Sequence, residues 1–358
     1  MMKKIELLTF ILLLTMVPTI FISCKNDNLT KKQLREKYFS QEKVDIVGSS
    51  EDLNSWIYML KDSKIMVREV VIDSGKGGEP VTISQLTDLH FNYCNEEDLL
   101  SGSLALKSTH RYRLWLANGE SVPKAEKCLE MASTADQMII TGDVLDYLSL
   151  GAMELMQKHI WDKYPQVLAC LGNHESTRVC QGKVQDETTL ESRLAILEDF
   201  WIHDMYYTSR VLNDKVMVIQ LDNGTNDYFW ESQIEPFKAD LELARREGYV
   251  VLLFYHVPLA TNNGEPNVVF PLRYNSGVKT DFSDFGRSHK ANEATAQVYN
   301  LIINNADVIK GTFCGHLHSD YYTEIIAKNS DGTDAVIPQY ILTGVPYDEG
   351  HILWITVK

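Results

Sequence analysis

Seven side chains that bind metal ions well stand where apolar runs stop. Asp88 and His90 follow Val81–Leu86, Asp143 follows Met138–Thr141, and Asn173, with His174 next to it, follows Val167–Leu171. His256 ends Val250–Tyr255, and His316 and His318 end Val308–Cys314. Taken singly, each is explained by a hydrogen-bonded core histidine or a helix-capping carboxylate. Five strand ends all closed by an acid, an amide or an imidazole have no structural need to be so. Two carboxylates, one amide oxygen and four imidazoles exceed a single tetrahedral zinc site. They suit two divalent cations that share a ligand, and Asp143, with two oxygens, is the natural bridge. Nitrogen and oxygen donors without thiolate favour Mn, Fe, Zn or Ni over Ca or Mg.

Convergence requires strands whose ends meet. Short apolar runs read as strands at 66–72, 81–86, 138–141, 167–171, 216–221, 250–255, 308–314, 321–326, 335–342 and 352–357. Amphipathic segments between them read as helices, among them "PKAEKCLEMAS", "AMELMQKHIWDKY", "LESRLAILEDF", "IEPFKADLELARREG" and "ATAQVYNLIINN". Strand–helix alternation followed by a strand-rich end predicts an α/β core with mixed sheets, and in such sheets ligands gather beyond the carboxyl ends of the strands. Three stretches, 91–121, 175–189 and 257–290, are longer than connections require and follow ligand motifs.

The ordered set D-x-H, G-D, G-N-H-E, H and G-H-x-H, spread over residues 81–320, resembles the calcineurin-like metallophosphoesterase superfamily. The resemblance implies a four-layer α/β/β/α sandwich of two mixed sheets with a dinuclear centre at the strand ends. It assigns Asp88, His90 and His318 to one cation, Asn173, His256 and His316 to the other, and Asp143 to both. His174 is then not a ligand but faces the scissile phosphate. Asn92 stands where many relatives have Gly, and Glu175 where Asp is common; neither is expected to touch a ligand position.

The expected chemistry is hydrolysis of a phosphomonoester or phosphodiester by a hydroxide bridging two cations roughly 3.5–4 Å apart, with His174 protonating the leaving group. A non-catalytic or phospho-ligand-binding surface lipoprotein that reuses the fold is the competing expectation. Arg178, close behind His174, is the candidate substrate contact, ahead of the "HRYRLW" stretch (His110–Trp115), Arg273, Arg287 and His289. Asp146 reads equally well as a carboxylate orienting a ligand or as a helix-start acid. His110, His159, His203, His289 and His351 lack motif context and read as structural.

Residues 1–23 carry a basic start and an apolar core that predict a signal peptide, and "FISC" places Cys24 as a lipidation site, with a plain membrane anchor as the alternative. Either puts the body outside the cytoplasm, tethered to a membrane. Residues 24–63 read as a polar tether and N-terminal segment, and 64–358 as the catalytic domain. The net charge of −15 becomes −16 once Lys3, Lys4 and Glu6 leave (−15 − 2 + 1). So acidic a body argues against a nucleic-acid polymer as partner and leaves a small phosphorylated substrate open, since bound cations dominate the local field. The cysteines beyond Cys24 are odd in number and irregularly spaced, which describes no disulfide framework.

Overall fold

The computed structural model describes residues 29–46, 55–117, 121–177, 188–225, 228–259, 274–275, 278–279, 292–346 and 350–358. One mixed sheet contains β1 (Lys43–Asp45), β2 (Ser55–Leu60), β3 (Ile65–Ile72), β4 (Val81–Leu86), β5 (Gln137–Thr141) and β6 (Leu168–Cys170). The second contains β7 (Tyr207–Leu212), β8 (Val216–Leu221) and β9 (Val250–Phe254), then, beyond a short hairpin of β10 (Tyr274–Asn275) and β11 (Val278–Lys279), β12 (Ile309–Cys314), β13 (Tyr321–Lys328) and β14 (Asp334–Ile341). The last strand, β15 (His351–Val357), returns to the first sheet, whose order is β1-β2-β3-β15-β4-β5-β6; the second runs β13-β14-β12-β9-β8-β7. β4, β5 and β6 are parallel neighbours, as are β8, β9 and β12.

The two sheets pack face to face because alternate residues on both are apolar. Val70, Ile83, Leu353 and Ile355 meet Val218, Leu252, Phe254 and Phe313 in a dry layer. The outer face of the first sheet is covered by α1 (Lys31–Phe39), α4 (Ser121–Ala132), α5 (Leu150–Met156) and α6 (Leu190–Glu198), contributing Tyr38, Leu129, Met153 and Leu197. Phe237 and Leu241 of α7 (Ile234–Glu247) and Val298 and Ile302 of α8 (Glu293–Ile303) cover the second. The result is the four-layer α/β/β/α sandwich expected.

Two expectations change. The polar stretch read as a tether is built into the domain from residue 30 onward: Thr30 and Gln33 form a capping box that starts α1, Tyr38 is buried, and Phe39 packs edge-on against Trp354 with centroids 4.8 Å apart. β2 pairs antiparallel with β3, so a boundary at residue 64 would cut a hairpin. Composition conceals this because α1 docks through few apolar side chains and leaves the rest in water. The long stretch after the first motif is not an open loop but holds α2 (Glu96–Leu100) and α3 (Leu104–Ala117). Asn95 caps α2, and Asp98, buried, accepts the Leu150 and Gly151 N–H groups at the start of α5. β7 also escapes the pattern, because an edge strand reading "YTSRVL" has no continuous apolar face.

Candidate metal centre

The site lies where the carboxyl ends of β4, β5 and β6 in one sheet face those of β9 and β12 in the other. Chain direction reverses sharply just past these ends. Asp88, His90, Asp143, His316 and His318 all have left-handed backbone, with φ of 51°, 49°, 50°, 69° and 50°. Non-glycine residues there cost of order 1–3 kcal/mol each and persist only where the surroundings over-determine them. Backbone bonds supply that constraint: Asp88 N–H donates to Gly142 O (3.0 Å), His90 N–H to Asp143 O (2.9 Å) and Gly315 N–H to His256 O (3.0 Å).

Six of the seven expected ligands, all but Asn173, fall into two clusters that share Asp143: Asp88, His90, Asp143 and His318, and Asp143, His256 and His316. In the first, His318 Nε2 lies 3.0 Å from Asp88 Oδ1 and 3.2 Å from His90 Nε2. In the second, His256 Nε2 lies 3.3 Å from Asp143 Oδ2, 3.2 Å from His316 Nδ1 and 3.3 Å from Asn173 Oδ1. The structure therefore brings Asn173 to the second cluster. Ligand atoms about 2.0–2.2 Å from one cation stand roughly 3–3.5 Å apart, as most of these pairs do; His90 Nε2 stands wider, 3.7 Å from Asp88 Oδ1 and 3.9 Å from Asp143 Oδ2. The donors are nitrogen and oxygen without thiolate, so the residues present fit divalent cations.

Neighbouring groups fix which atom of each ligand faces inward. His90 Nδ1 bonds Asp146 Oδ1 (3.0 Å) and His256 Nδ1 donates to Thr141 O (2.8 Å), leaving each Nε2 turned to the centre. Asp88 Oδ2 accepts Thr87 Oγ1–H (2.6 Å) and His316 N–H (3.0 Å), so Oδ1 is the oxygen left for a cation. Two of the buried imidazoles, His90 and His256, are shifted toward the charged form. Burial opposes it, yet hydrogen bonds donated to the Asp146 and Asp88 carboxylates push His90 up to about 10, and Asp143 pushes His256 up to about 9. Burial and the adjacent His256 push His316 down to about 3. Against the same burial, His318 holds Asp88, and His256 and His174 hold Asp143, well below the usual carboxylate range.

His174 stands beside the centre, not in it. Its backbone N–H donates to Asp143 Oδ1 (2.9 Å), its Nδ1 donates to the main-chain carbonyl of Asp146 (2.7 Å), and Nε2 lies 4.0 Å from Asp143 Oδ2. Burial lowers its pKa while Asp143 pulls the other way. Asp146, left between two readings from sequence, is an orienting carboxylate. It takes His90, Asn92 Nδ2 (2.7 Å) and the guanidinium of Arg113, whose Nε is 3.0 Å from both oxygens.

Of the two departures, Glu175 reaches an expected ligand residue and Asn92 does not. Glu175 accepts the N–H of Asp143 (3.1 Å), Leu145 (3.0 Å) and Gly172 (2.6 Å), tying the ends of β5 and β6 together, and Asn92 bonds Asp146. Asn223 was missed from sequence although "VMVIQLDNG" shows the same apolar run ending in polar groups. It clamps the residue after His256, donating to Val257 O (2.7 Å) and accepting Val257 N–H (2.9 Å). His110 is less isolated than its sequence context indicated, with Nδ1 2.6 Å from Tyr147 OH; His159, His203 and His351 bond Glu126, Ala169 N–H and Asp320. Cys94, Cys128, Cys170 and Cys314 are buried thiols. Cys24, Arg178, Arg273, Arg287 and His289 lie outside the described residues. Among the described residues no helix is long and apolar enough to cross a membrane.

Comparison with known proteins gives the family. No curated protein matches the sequence. Solved structures that resemble the chain include a dimetal phosphatase from Danio rerio (15% identity, 75% of this chain and 88% of that one, TM-score 0.38) and a putative 5'-nucleotidase from Staphylococcus aureus in complex with alpha-ketoglutarate (14%, 75% and 49%, TM-score 0.33). A calcineurin-like phosphoesterase from Bacillus subtilis resembles it at 13% identity, over 75% of this chain and 82% of that one, with TM-score 0.28. The sequence profile of the calcineurin-like phosphoesterases matches residues 81–320, the span that holds every ligand cluster, and the chain belongs to that family.

Proposed function

We propose that this chain is a metal-dependent phosphohydrolase that cleaves a small phosphomonoester or phosphodiester. The observation that carries the reading is the shared carboxylate: Asp143 belongs to both ligand clusters, with His174 Nε2 4.0 Å from its Oδ2. Two divalent cations, when bound, supply electrophilic charge for the phosphoryl oxygens and an activated water. Asp88, His90 and His318 would hold one, Asn173, His256 and His316 the other, and Asp143 both. The chain's own part is to fix these donors, through Thr87, Thr141 and Asp146, before substrate arrives. In its doubly protonated form, with Nδ1–H held by the Asp146 carbonyl, His174 delivers the Nε2 proton to the departing oxygen and is left as the neutral imidazole. Arg178, four residues beyond His174, is proposed to grip the phosphate or leaving group, and Cys24 to carry the lipid that tethers the body outside the cytoplasm; motif proximity and the leader sequence support these.

The test is a substrate panel (nitrophenyl phosphate monoester and diester, nucleotides, sugar phosphates) with the cation-reconstituted chain. Turnover lost in both Asp143→Asn and His174→Ala supports the reading. Tight phosphate binding with no turnover on any ester favours the phospho-ligand-binding alternative, and a chain that takes up no cation overturns both. Fractionation of Cys24→Ser tests the tether: its release from membranes is expected.

A further inference from the structure

Helix α3 stands apart from the ligand strands, yet it is bolted to the site by two side chains one turn apart. Arg113 forks onto the Asp146 carboxylate through Nε, 3.0 Å from each oxygen, with Nη2 against Oδ1. His110 bonds Tyr147 OH, and Tyr147 OH donates to Asn92 Oδ1 (2.9 Å). Asn92 closes the loop, its Nδ2 reaching both Asp146 Oδ2 and the main-chain oxygen of Arg113 (2.9 Å). Asp146 is thus the hub through which α3 meets the centre, since its carboxylate holds His90 and its carbonyl holds His174. His90, Asp146 and His174 could themselves be taken for a third cation site. The guanidinium and the Asn92 amide already occupy those carboxylate oxygens, so the group reads as a strut.

We propose that Arg113 is a positioning residue that holds His90 and His174 in working orientation through Asp146. The planar fork fixes the carboxylate in two directions at once, which the point charge of a lysine does not. A tilted carboxylate would release His90 Nδ1 and withdraw the Oδ1 charge that stands 3.6 Å from His174 Nδ1, disturbing one expected cation ligand and the proposed proton donor together. The inference rests on the proposed hydrolase reading for its kinetic arm only; its metal-binding arm is independent of any substrate.

The test titrates the metal-free full chain with Mn²⁺ by calorimetry and then measures kcat and KM on a nitrophenyl phosphate ester. Arg113→Ala should bind Mn²⁺ about 10–100-fold more weakly, the usual effect of losing a group behind a ligand, and lose kcat by at least about tenfold with KM within about threefold. Arg113→Lys should fall between it and the wild type. Arg111→Ala, an exposed neighbour on the same helix, should match the wild type in both. Wild-type affinity and kcat in Arg113→Ala overturn the proposal, as does a raised KM at unchanged kcat, which would make Arg113 a substrate contact. Full recovery of both parameters in Arg113→Lys would also overturn it, because charge alone would then suffice. Should Arg113→Ala show no cooperative melting, Arg113→Lys decides by the same measures. If the wild type cleaves no ester, the hydrolase reading fails while the Mn²⁺ arm still decides the role of Arg113.

Discussion

His174 and Asp143 touch through a backbone N–H bond to the carboxylate, yet the tasks proposed for them are separable. His174→Ala removes the proposed proton donor and no expected ligand, so kcat should fall about 10²–10⁴-fold while the purified chain keeps its metal. Asp143→Asn removes the shared carboxylate, and metal content by elemental analysis should fall for both cations together. The pH dependence of metal uptake follows from the same side chains. Burial disfavours charge, but the facing carboxylates push His90 to about 10 and His256 to about 9 in the cation-free chain. Both pKa values are raised, so at neutral pH a cation must displace those protons. Affinity should therefore climb with pH, by up to about tenfold per unit for each proton released, and level off near pH 9–10. Calorimetry in buffers of different ionisation enthalpy would count the protons; uptake without proton release would contradict the assignment.

The strand ends approach so closely that side chains are excluded at particular glycines. A Cβ on Gly315 would overlap Thr87 Oγ1 and Asp88 Oδ2, and one on Gly172 would overlap the Asp143 carboxylate. Gly315→Ala should cost about 1–3 kcal/mol of stability and weaken the cation held by Asp88, because the crowded backbone has no space to yield. Gly77→Ala, with nothing within 4 Å of the added carbon, is the control and should leave both unchanged. Urea unfolding of the metal-free variants, followed by metal titration, separates the two effects. Elements were legible to different degrees. Strands buried on both faces, such as Val216–Leu221 and Val250–Phe254, announce themselves as apolar runs. Helix α3 did not, since its mixture of cations and aromatics is read equally well as a loop, and only the contacts of Arg113 and His110 reveal what it is for.

The boundary of the folded body is a property of the whole molecule. Tyr38 of α1 and Tyr58 of β2 are buried in the outer core of the first sheet, and β2 covers the edge of β3. A chain that begins at residue 64 would expose that core and an unpaired strand edge, an aggregation template. It should emerge insoluble or melt without cooperativity, whereas one beginning at residue 29 should give a single thermal transition. Equal stability of the two would show that the N-terminal elements are dispensable.

Sequence alone determined which residues could bind cations, that they stand at strand ends, and that the sheets are α/β. Those properties are written in residue type and in periods of two and 3.6, both local. It could not determine the left-handed backbone at five of the expected ligands, which depends on crossing bonds between strand ends. Nor could it reveal Glu175 joining β5 to β6, Asn223 steadying the residue after His256, or Arg113 braced on Asp146 33 residues away. Those groups act only because folding brings distant polar atoms together at one end of the sheets, and no local pattern encodes which pairs will meet.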